Sequence, residues 1–211
     1  GVIKKKYDAV GRVIETTMCD GYGGLSYETA GTVEGDRVYA QTRTTYDKNG
    51  QVIFTTELER RHDALLTAGP LTSSTARISY SANWYDKAGR LTAAADFGTN
   101  GGIPLAKRPD FKEPYYWLAA TSSLTTVYSY NSDGNLWRIT DPRGLMVYRT
   151  YDALGRVVVE TKGASKMYLG ITDAETEVRF YYDGSDNKRQ TIDVTGGEKR
   201  VTIYEYDALA S

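Results

Sequence analysis

The sequence contains a single cysteine, Cys19, and a single histidine, His62, in 211 residues. One cysteine excludes an intrachain disulfide, and one residue of each type excludes a His/Cys metal cluster. A nucleophilic Cys19 would need His62 beside it in space, and nothing in the sequence places the two together. We therefore interpret Cys19 as a buried or unreactive thiol and predict neither a metal site nor a cofactor.

Long apolar runs and an excess of one charge are also missing. No stretch approaches the roughly 18 consecutive apolar residues of a membrane helix, and the N-terminal sequence lacks the apolar region of a signal peptide. The 26 basic and 27 acidic side chains nearly cancel. No basic run extends beyond Lys4, Lys5 and Lys6. We therefore expect no membrane span and no binding to nucleic acid.

Proline and methionine are scarce, at 5 and 3 residues, whereas tyrosine and glycine are abundant, at 18 and 21. Tyrosine, threonine and valine favour strands, and glycine favours turns. The hydrophobic content of 40% is that of an ordinary globular protein. The composition therefore indicates a folded chain of strands and turns.

One short phrase recurs along the chain. It reads YDALGRVVVET at 151–161. Near-copies of it predict further β-hairpins at 7–17, 46–56, 85–95 and 130–140, a degraded copy lies at 182–192, and YEYDALAS at the C-terminal end begins one more. The unit is about 20 residues long with insertions. Each 39-residue gap between the first three copies holds either two units or one unit with a long loop.

Each position of the phrase has a physical role. Asp at the first position of the turn and Gly at the fourth favour a type I turn that closes a hairpin, because Asp bonds nearby amides and Gly accepts positive φ. With a three-residue loop at 153–155, Asp152 faces Arg156 and Tyr151 faces Val157, on opposite faces of the sheet. The phrase therefore predicts a hairpin with one charged and one packing pair.

The same positions are predicted to be structural in every copy. We interpret the charged pairs as clamps on the hairpins, not as catalytic ion pairs, and predict no catalytic residues. The structural positions are Tyr7, Asp8, Gly11, Arg12, Tyr46, Asp47, Gly50, Tyr85, Asp86, Gly89, Arg90, Tyr130, Gly134, Tyr151, Asp152, Gly155 and Arg156.

The remaining segments alternate between strand and turn, and we expect a single β-domain over 1–211. Its insertions are predicted at 18–36, 57–78 and 96–121, displayed at hairpin ends. Residues 57–69 are the best candidate for a helix, with leucines and a terminal glycine, although the start of that segment could also extend a strand. Carboxylate pairs in the chain are not specific enough to indicate catalysis.

The insertion at 96–121 carries an aromatic group made of Tyr115, Tyr116 and Trp117. Exposed aromatic side chains are favoured at recognition sites. The group would then bind a glycan or a protein partner; alternatively, it folds back and covers the sheet.

The segment TDPRGLMVYRTYDALGRVVVET at 140–161 resembles the unit of the Rhs or YD-repeat family. The resemblance implies an all-β fold of stacked antiparallel hairpins that forms a curved or spiral sheet, as a segment of a shell. In bacterial Rhs proteins and toxin-complex components such a shell encloses a toxin domain, and in teneurins a similar barrel belongs to an adhesion receptor. The family also has a self-cleavage motif that DPRGL at 141–145 matches, but a normal hairpin on each side favours Asp141 as a turn residue.

The resemblance predicts a scaffold and not an enzyme, secreted or exposed at the cell surface as part of a larger exported protein. Its expected partners are further YD repeats of a longer chain and an encapsulated toxin domain. The alternative is a surface module that binds a glycan or receptor through 96–121. The sequence begins and stops within hairpins, so open strand edges predict edge-to-edge self-association unless loops protect them.

Overall fold

The computed structural model describes residues 1–23, 26, 31–64, 67–110, 123–163 and 176–206. The chain divides into two compact units, Gly1–Thr125 and Thr126–Ser211. The described residues form antiparallel strands, and their one helical element is the 3₁₀ turn Asn100–Gly102. The predicted fold class, all-β with successive antiparallel hairpins, is confirmed. No helix in these ranges is long and apolar enough to cross a membrane.

Six strands form the sheet of the first unit, and each pairs in antiparallel fashion with the next along the chain. Alternating threonine, valine and aromatic residues supply the period of two that a strand with one buried face requires. The strands are β1 (Val2–Tyr7), β2 (Val13–Cys19), β3 (Val38–Tyr46), β4 (Val52–Arg60), β5 (Ala76–Tyr85) and β6 (Leu91–Gly98).

Seven further strands follow in the same up-and-down order, and all of them lie in the second unit except for the first two residues of the first strand. Gly196 and Gly197, with φ of 60° and 89°, close the last hairpin as a two-residue turn. The strands are β7 (Leu124–Tyr130), β8 (Leu136–Thr140), β9 (Met146–Tyr151), β10 (Val157–Gly163), β11 (Thr176–Tyr182), β12 (Lys188–Thr195) and β13 (Glu198–Ile203).

The buried apolar side chains of the described residues all lie in the first unit. One cluster centres on Phe54, Tyr80 and Trp84, with the rings of Phe54 and Tyr80 stacked at 6.0 Å. A second cluster joins Cys19 and Val38 to residues of β4 and of the connections. In the second unit the strand side chains are mostly half-buried or exposed.

Two connecting segments differ in part from the expectations drawn from the sequence. The helix proposed for 57–69 does not form at its start, because β4 runs on to Arg60 and the strand alternative is the one observed. The segment 18–36 is not simply displayed at a hairpin end, since β2 includes Cys19 and both Val33 and Asp36 are buried. The connection is therefore packed at Val33 and Asp36 and not exposed along its whole length.

Candidate functional site: the seam of repeated turns

The hairpin turns that begin with Asp or Asn share one backbone conformation, which the 151–161 copy illustrates. The N–H of Asp152 donates to the carbonyl of Arg156 at 3.0 Å, and the N–H of Gly155 donates to the carbonyl of Asp152 at 3.0 Å. Gly155 has φ of 79°, a left-handed conformation that glycine adopts without a steric penalty. The result is a type I turn followed by a left-handed residue. Turns with the same two hydrogen bonds begin at Asp8, Asp47, Asp86, Asn131, Asp141 and Asp183.

The first side chain of each turn caps the loop from within. Oδ1 of Asp152 accepts the N–H groups of Leu154 and Arg156, each at 3.0 Å, and Oδ2 accepts Nε of Arg156 at 2.7 Å. The backbone N–H of Arg156 and then its guanidinium hold the pKa of Asp152 below its ordinary value. Asp8 with Arg12 and Asp86 with Arg90 have the same arrangement, and their pKa values are lowered in the same way.

A β-bulge follows every turn that the repeated phrase forms. Tyr151 pairs with Val157 and Thr150 pairs with Val159, so Val158 is an extra residue on the outgoing strand. A bulge interrupts the ladder and leaves backbone groups in need of other partners. Register shifts at the equivalent place lie next to Tyr7, Tyr46, Tyr85, Tyr130 and Tyr182.

Five of the repeated tyrosines reach back to the bulge of the preceding copy of the phrase. The hydroxyl of Tyr46 donates to the carbonyl of Val13 at 2.9 Å, and the hydroxyl of Tyr85 donates to the carbonyl of Val52 at 3.1 Å. In the second unit the hydroxyls of Tyr151, Tyr182 and Tyr206 donate to the carbonyls of Leu136, Val157 and Lys188 at 2.6, 3.0 and 3.0 Å. The acceptor is in each case the residue before the bulge.

The residue after the glycine reaches forward to the next hairpin. The guanidinium of Arg12 lies 4.7 Å from the ring centre of Tyr46, and its Nη1 donates to the carbonyl of Asp47 at 3.0 Å. Arg156 makes the same two contacts with Tyr182 and Asp183, at 4.7 and 3.3 Å. Gln51 has no charge but still reaches forward, because its amide donates to the carbonyl of Gly89 at 2.7 Å.

We call the tyrosine, aspartate, glycine and arginine positions of these copies the turn seam. Within each hairpin they close the loop. Between neighbouring hairpins of one unit the tyrosines add a hydrogen bond backward, and Arg12 and Arg156 add a cation–π contact forward. Both kinds of contact lie at the turn end of the strands, beyond the backbone ladder. The predicted structural residues thus meet in a repeated connection between neighbouring hairpins.

Two turns differ from the phrase in sequence but not in backbone. Asp141, the first residue of the DPRGL segment, accepts the N–H groups of Arg143 and Leu145 at 2.8 Å each, as the turn residue does elsewhere. In the degraded copy Asp186 takes the place of the glycine, with φ of 65°. Arg189, two residues later than usual, binds Asp183 at 2.7 Å and lies over Tyr206. The degraded copy therefore retains the connection.

The other chemical candidates of the sequence lie away from the turn seam. Cys19 is buried, and burial followed by the nearby charge of Asp36 raises the pKa of its thiol. His62 is exposed. A raised thiol pKa and the exposed position of the histidine both argue against a thiolate nucleophile. Tyr115, Tyr116 and Trp117 lie outside the described residues.

The described part of the 96–121 insertion covers the aromatic cluster of the first unit. Leu105 packs against that cluster, and the indole N–H of Trp84 donates to the carbonyl of Pro109 at 3.3 Å. Arg108 lies over the ring of Trp84 and donates to the carbonyl of Asn83 at 2.6 Å. Up to Pro109, this connection thus contributes to the core.

The repeated phrase predicts packing for the tyrosines and clamps within their own hairpin for the arginines, and it does not predict the contacts between hairpins. A signal for them was present. Phenylalanine packs as well as tyrosine, yet the five good copies all carry the hydroxyl. A hydroxyl retained at a half-buried position indicates a hydrogen-bond acceptor nearby.

The fold and the turn seam define a β-hairpin repeat protein. Residues 121–166 match a family model described as RHS Repeat, which confirms the resemblance drawn from the sequence. The chain is also similar to the crystal structures of TcdB2-TccC3 (13% identity) and TcdB2-TccC3-Cdc42 (12% identity), each with a TM-score of 0.29. These alignments cover 98% of this chain and only 12 to 13% of the other chains. No curated protein matches the chain.

Proposed function

We propose that the chain is a scaffold segment of an Rhs/YD-repeat protein, part of a β-shell that encloses or presents a toxin or adhesion domain. The observation that carries this proposal is the turn seam. The tyrosine, aspartate and arginine side chains of the turn seam close the turns and join successive hairpins. These are the kinds of side chain that an active site would use. The RHS repeat at 121–166 supports the same role.

A β-shell built from hairpins must resist fraying at the ends of the hairpins. Backbone hydrogen bonds hold neighbouring strands along their length, but the turns at the end of a sheet have no ladder of their own. The hydroxyl of Tyr182 and the guanidinium of Arg156 connect adjacent turns at that place. This geometry supports the proposed role, because each repeat is fastened to its neighbour at the turns as well as through the ladder.

The scaffold role implies a location and a set of partners. The segment would work outside the cell or at its surface, within a larger exported chain, and it would have no catalytic activity of its own. Its partners would be further YD repeats at the exposed strands β1 and β13, and the enclosed domain. Recognition of a glycan or receptor through 96–121 remains a prediction, which unchanged cell binding after deletion of that segment would contradict.

The test uses the longest natural protein that contains this sequence. Limited trypsin digestion is followed by mass spectrometry of the domains outside the repeats. We expect slow digestion in the wild type and faster digestion when Tyr85→Phe and Tyr182→Phe are combined, because the shell opens at two turns. Tyr7→Phe is the matched control. Equal digestion of the outside domains in the wild type and in the unfolded protein would refute enclosure.

A further inference from the structure

A half-buried lysine and a buried aspartate lie in contact in the first unit. Nζ of Lys4 on β1 is 2.6 Å from Oδ2 of Asp36, which lies two residues before β3. The side chain of Asp36 is 0% exposed and that of Lys4 is 11% exposed. Most lysine–aspartate pairs lie on the surface, where water separates and solvates the charges, so this pair is unusual.

The surroundings of the pair are apolar apart from a few hydrogen-bonding groups. Asp36 lies beside the cluster that contains Cys19, Val33 and Val38. The N–H of Gly23 donates to Oδ1 of Asp36 at 2.8 Å, and the thiol of Cys19 lies 3.6 Å from Oδ2. Lys4 also donates to the carbonyl of Thr32 at 2.7 Å. The two carboxylate oxygens therefore have different partners.

We propose that Lys4 and Asp36 condense into an isopeptide bond. A proton first passes from the ammonium to the carboxylate within the hydrogen bond, which leaves a neutral amine and a carboxylic acid. Nζ then attacks Cγ of Asp36, the C–N bond forms, and the C–Oδ2 bond breaks. Oδ2 leaves as water and Oδ1 becomes the oxygen of the amide. No oxidant or reductant takes part, and one water is the only other product.

Each neighbouring group has a place in this step. The N–H of Gly23 lies where negative charge develops on Oδ1 in the tetrahedral intermediate, as a donor in an oxyanion site does. The thiol of Cys19 lies on the side of the leaving oxygen, where it can deliver a proton to Oδ2 and regain one from the amine nitrogen. The fixed contact between Nζ and the carboxylate replaces a collision between two molecules.

Burial favours the amide product as well as the contact between Lys4 and Asp36. A buried ion pair carries a large desolvation cost, and condensation replaces two charges by a neutral amide. The bond would tie β1, the outermost strand described in the first unit, to the connection that leads into β3. Such a tie holds an edge strand that is otherwise paired on one side only.

The test is the intact mass of the purified, folded 211-residue chain after prolonged incubation at neutral pH. We expect a mass lower than the sequence mass by one water. Trypsin does not cleave at a modified lysine, so the digest should contain residues 1–5 covalently joined to residues 13–37. Fragmentation of that joined peptide assigns the bond to Lys4 and Asp36.

Matched variants separate the bond from other causes of mass loss. Lys4→Arg keeps the positive charge but should show no mass loss, whereas Lys5→Arg, a change on the opposite face of β1, should lose the water as the wild type does. Cys19→Ala should slow the loss by about 100-fold if the thiol relays the proton. Folded wild type, with its β signal in circular dichroism, that keeps its full mass would overturn the proposal.

Discussion

The hydroxyl of Tyr151 donates to the backbone carbonyl of Leu136 at 2.6 Å, which fastens the 151–161 hairpin to the bulge of the one before it. Tyr151→Phe should therefore lower the free energy of unfolding by about 1 kcal/mol, because the ring stays and a half-buried hydrogen bond is lost. Urea unfolding followed by circular dichroism measures the change.

Tyr7→Phe provides the control for this loss. Tyr7 occupies the same position in the first hairpin, and its side chain is 56% exposed. The described residues give its hydroxyl no acceptor of the kind that Tyr151 has. We expect a change within about 0.5 kcal/mol for Tyr7→Phe. Equal losses in the two variants would show that the backward hydrogen bond adds nothing to stability.

Gly155 has φ of 79°, whereas Gly184, in the turn of the degraded copy, has no positive φ. A Cβ at either position meets no atom within 4 Å, so the two differ in backbone conformation and not in available space. Gly155→Ala should cost about 1 kcal/mol because alanine is strained in the left-handed region. Gly184→Ala should be neutral or stabilising by about 0.5 kcal/mol. Thermal unfolding of the pair checks the contrast.

In the turn of the degraded copy, Asp186 occupies the position that glycine has in the other copies, with φ of 65°. It also forms an exposed ion pair with Arg156 at 2.6 Å. Asp186→Gly removes the strain and the ion pair together, so its effect should depend on salt. At high salt, where the ion pair is screened, the variant should be more stable than the wild type by about 1 kcal/mol. Ser185→Gly, which relieves no such strain, should not stabilise at any salt concentration.

The seam position of Gln51 predicts which substitutions Arg12 tolerates. Gln51 still donates to the next turn although it has no charge. Arg12→Gln should therefore retain the forward hydrogen bond and lose the cation–π contact with Tyr46, at a cost of about 0.5 to 1 kcal/mol. Arg12→Ala should cost more, because the hydrogen bond to the carbonyl of Asp47 is lost as well. Chemical unfolding of both variants ranks them, and an equal cost would argue against the forward contact.

The sequence was sufficient for the hairpins because their determinants are local. Tyr151 to Val157 contains the turn aspartate, the left-handed glycine and the paired strand residues, and all of them interact within one hairpin. The contact between Tyr151 and Leu136 joins two hairpins, so its partner depends on how the hairpins stack. Burial of Asp36 depends on the path of a Gly-rich connection, which carries no periodic pattern that would predict it.

Acid should weaken the turns in a defined direction. The pKa values of Asp8, Asp86 and Asp152 lie below the ordinary value of 3.8, chiefly because the backbone N–H of the following arginine binds the carboxylate. In the unfolded chain these carboxyls take up protons first, as the pH falls through 3.8. The unfolded state then binds more protons than the folded state, so stability decreases over that range and on down through the folded pKa values.

The matched variant for the acid effect replaces all three aspartates by asparagine. Asn131 shows that asparagine forms the same turn, since its Oδ1 accepts the N–H groups of Asp133 and Asn135 at 3.1 and 2.8 Å. The triple variant should lose stability at neutral pH, where the carboxylates act, and should depend less steeply on pH below 4 than the wild type. Urea unfolding between pH 2 and 7 measures both slopes, and an unchanged slope in the triple variant would assign the acid sensitivity to other carboxylates.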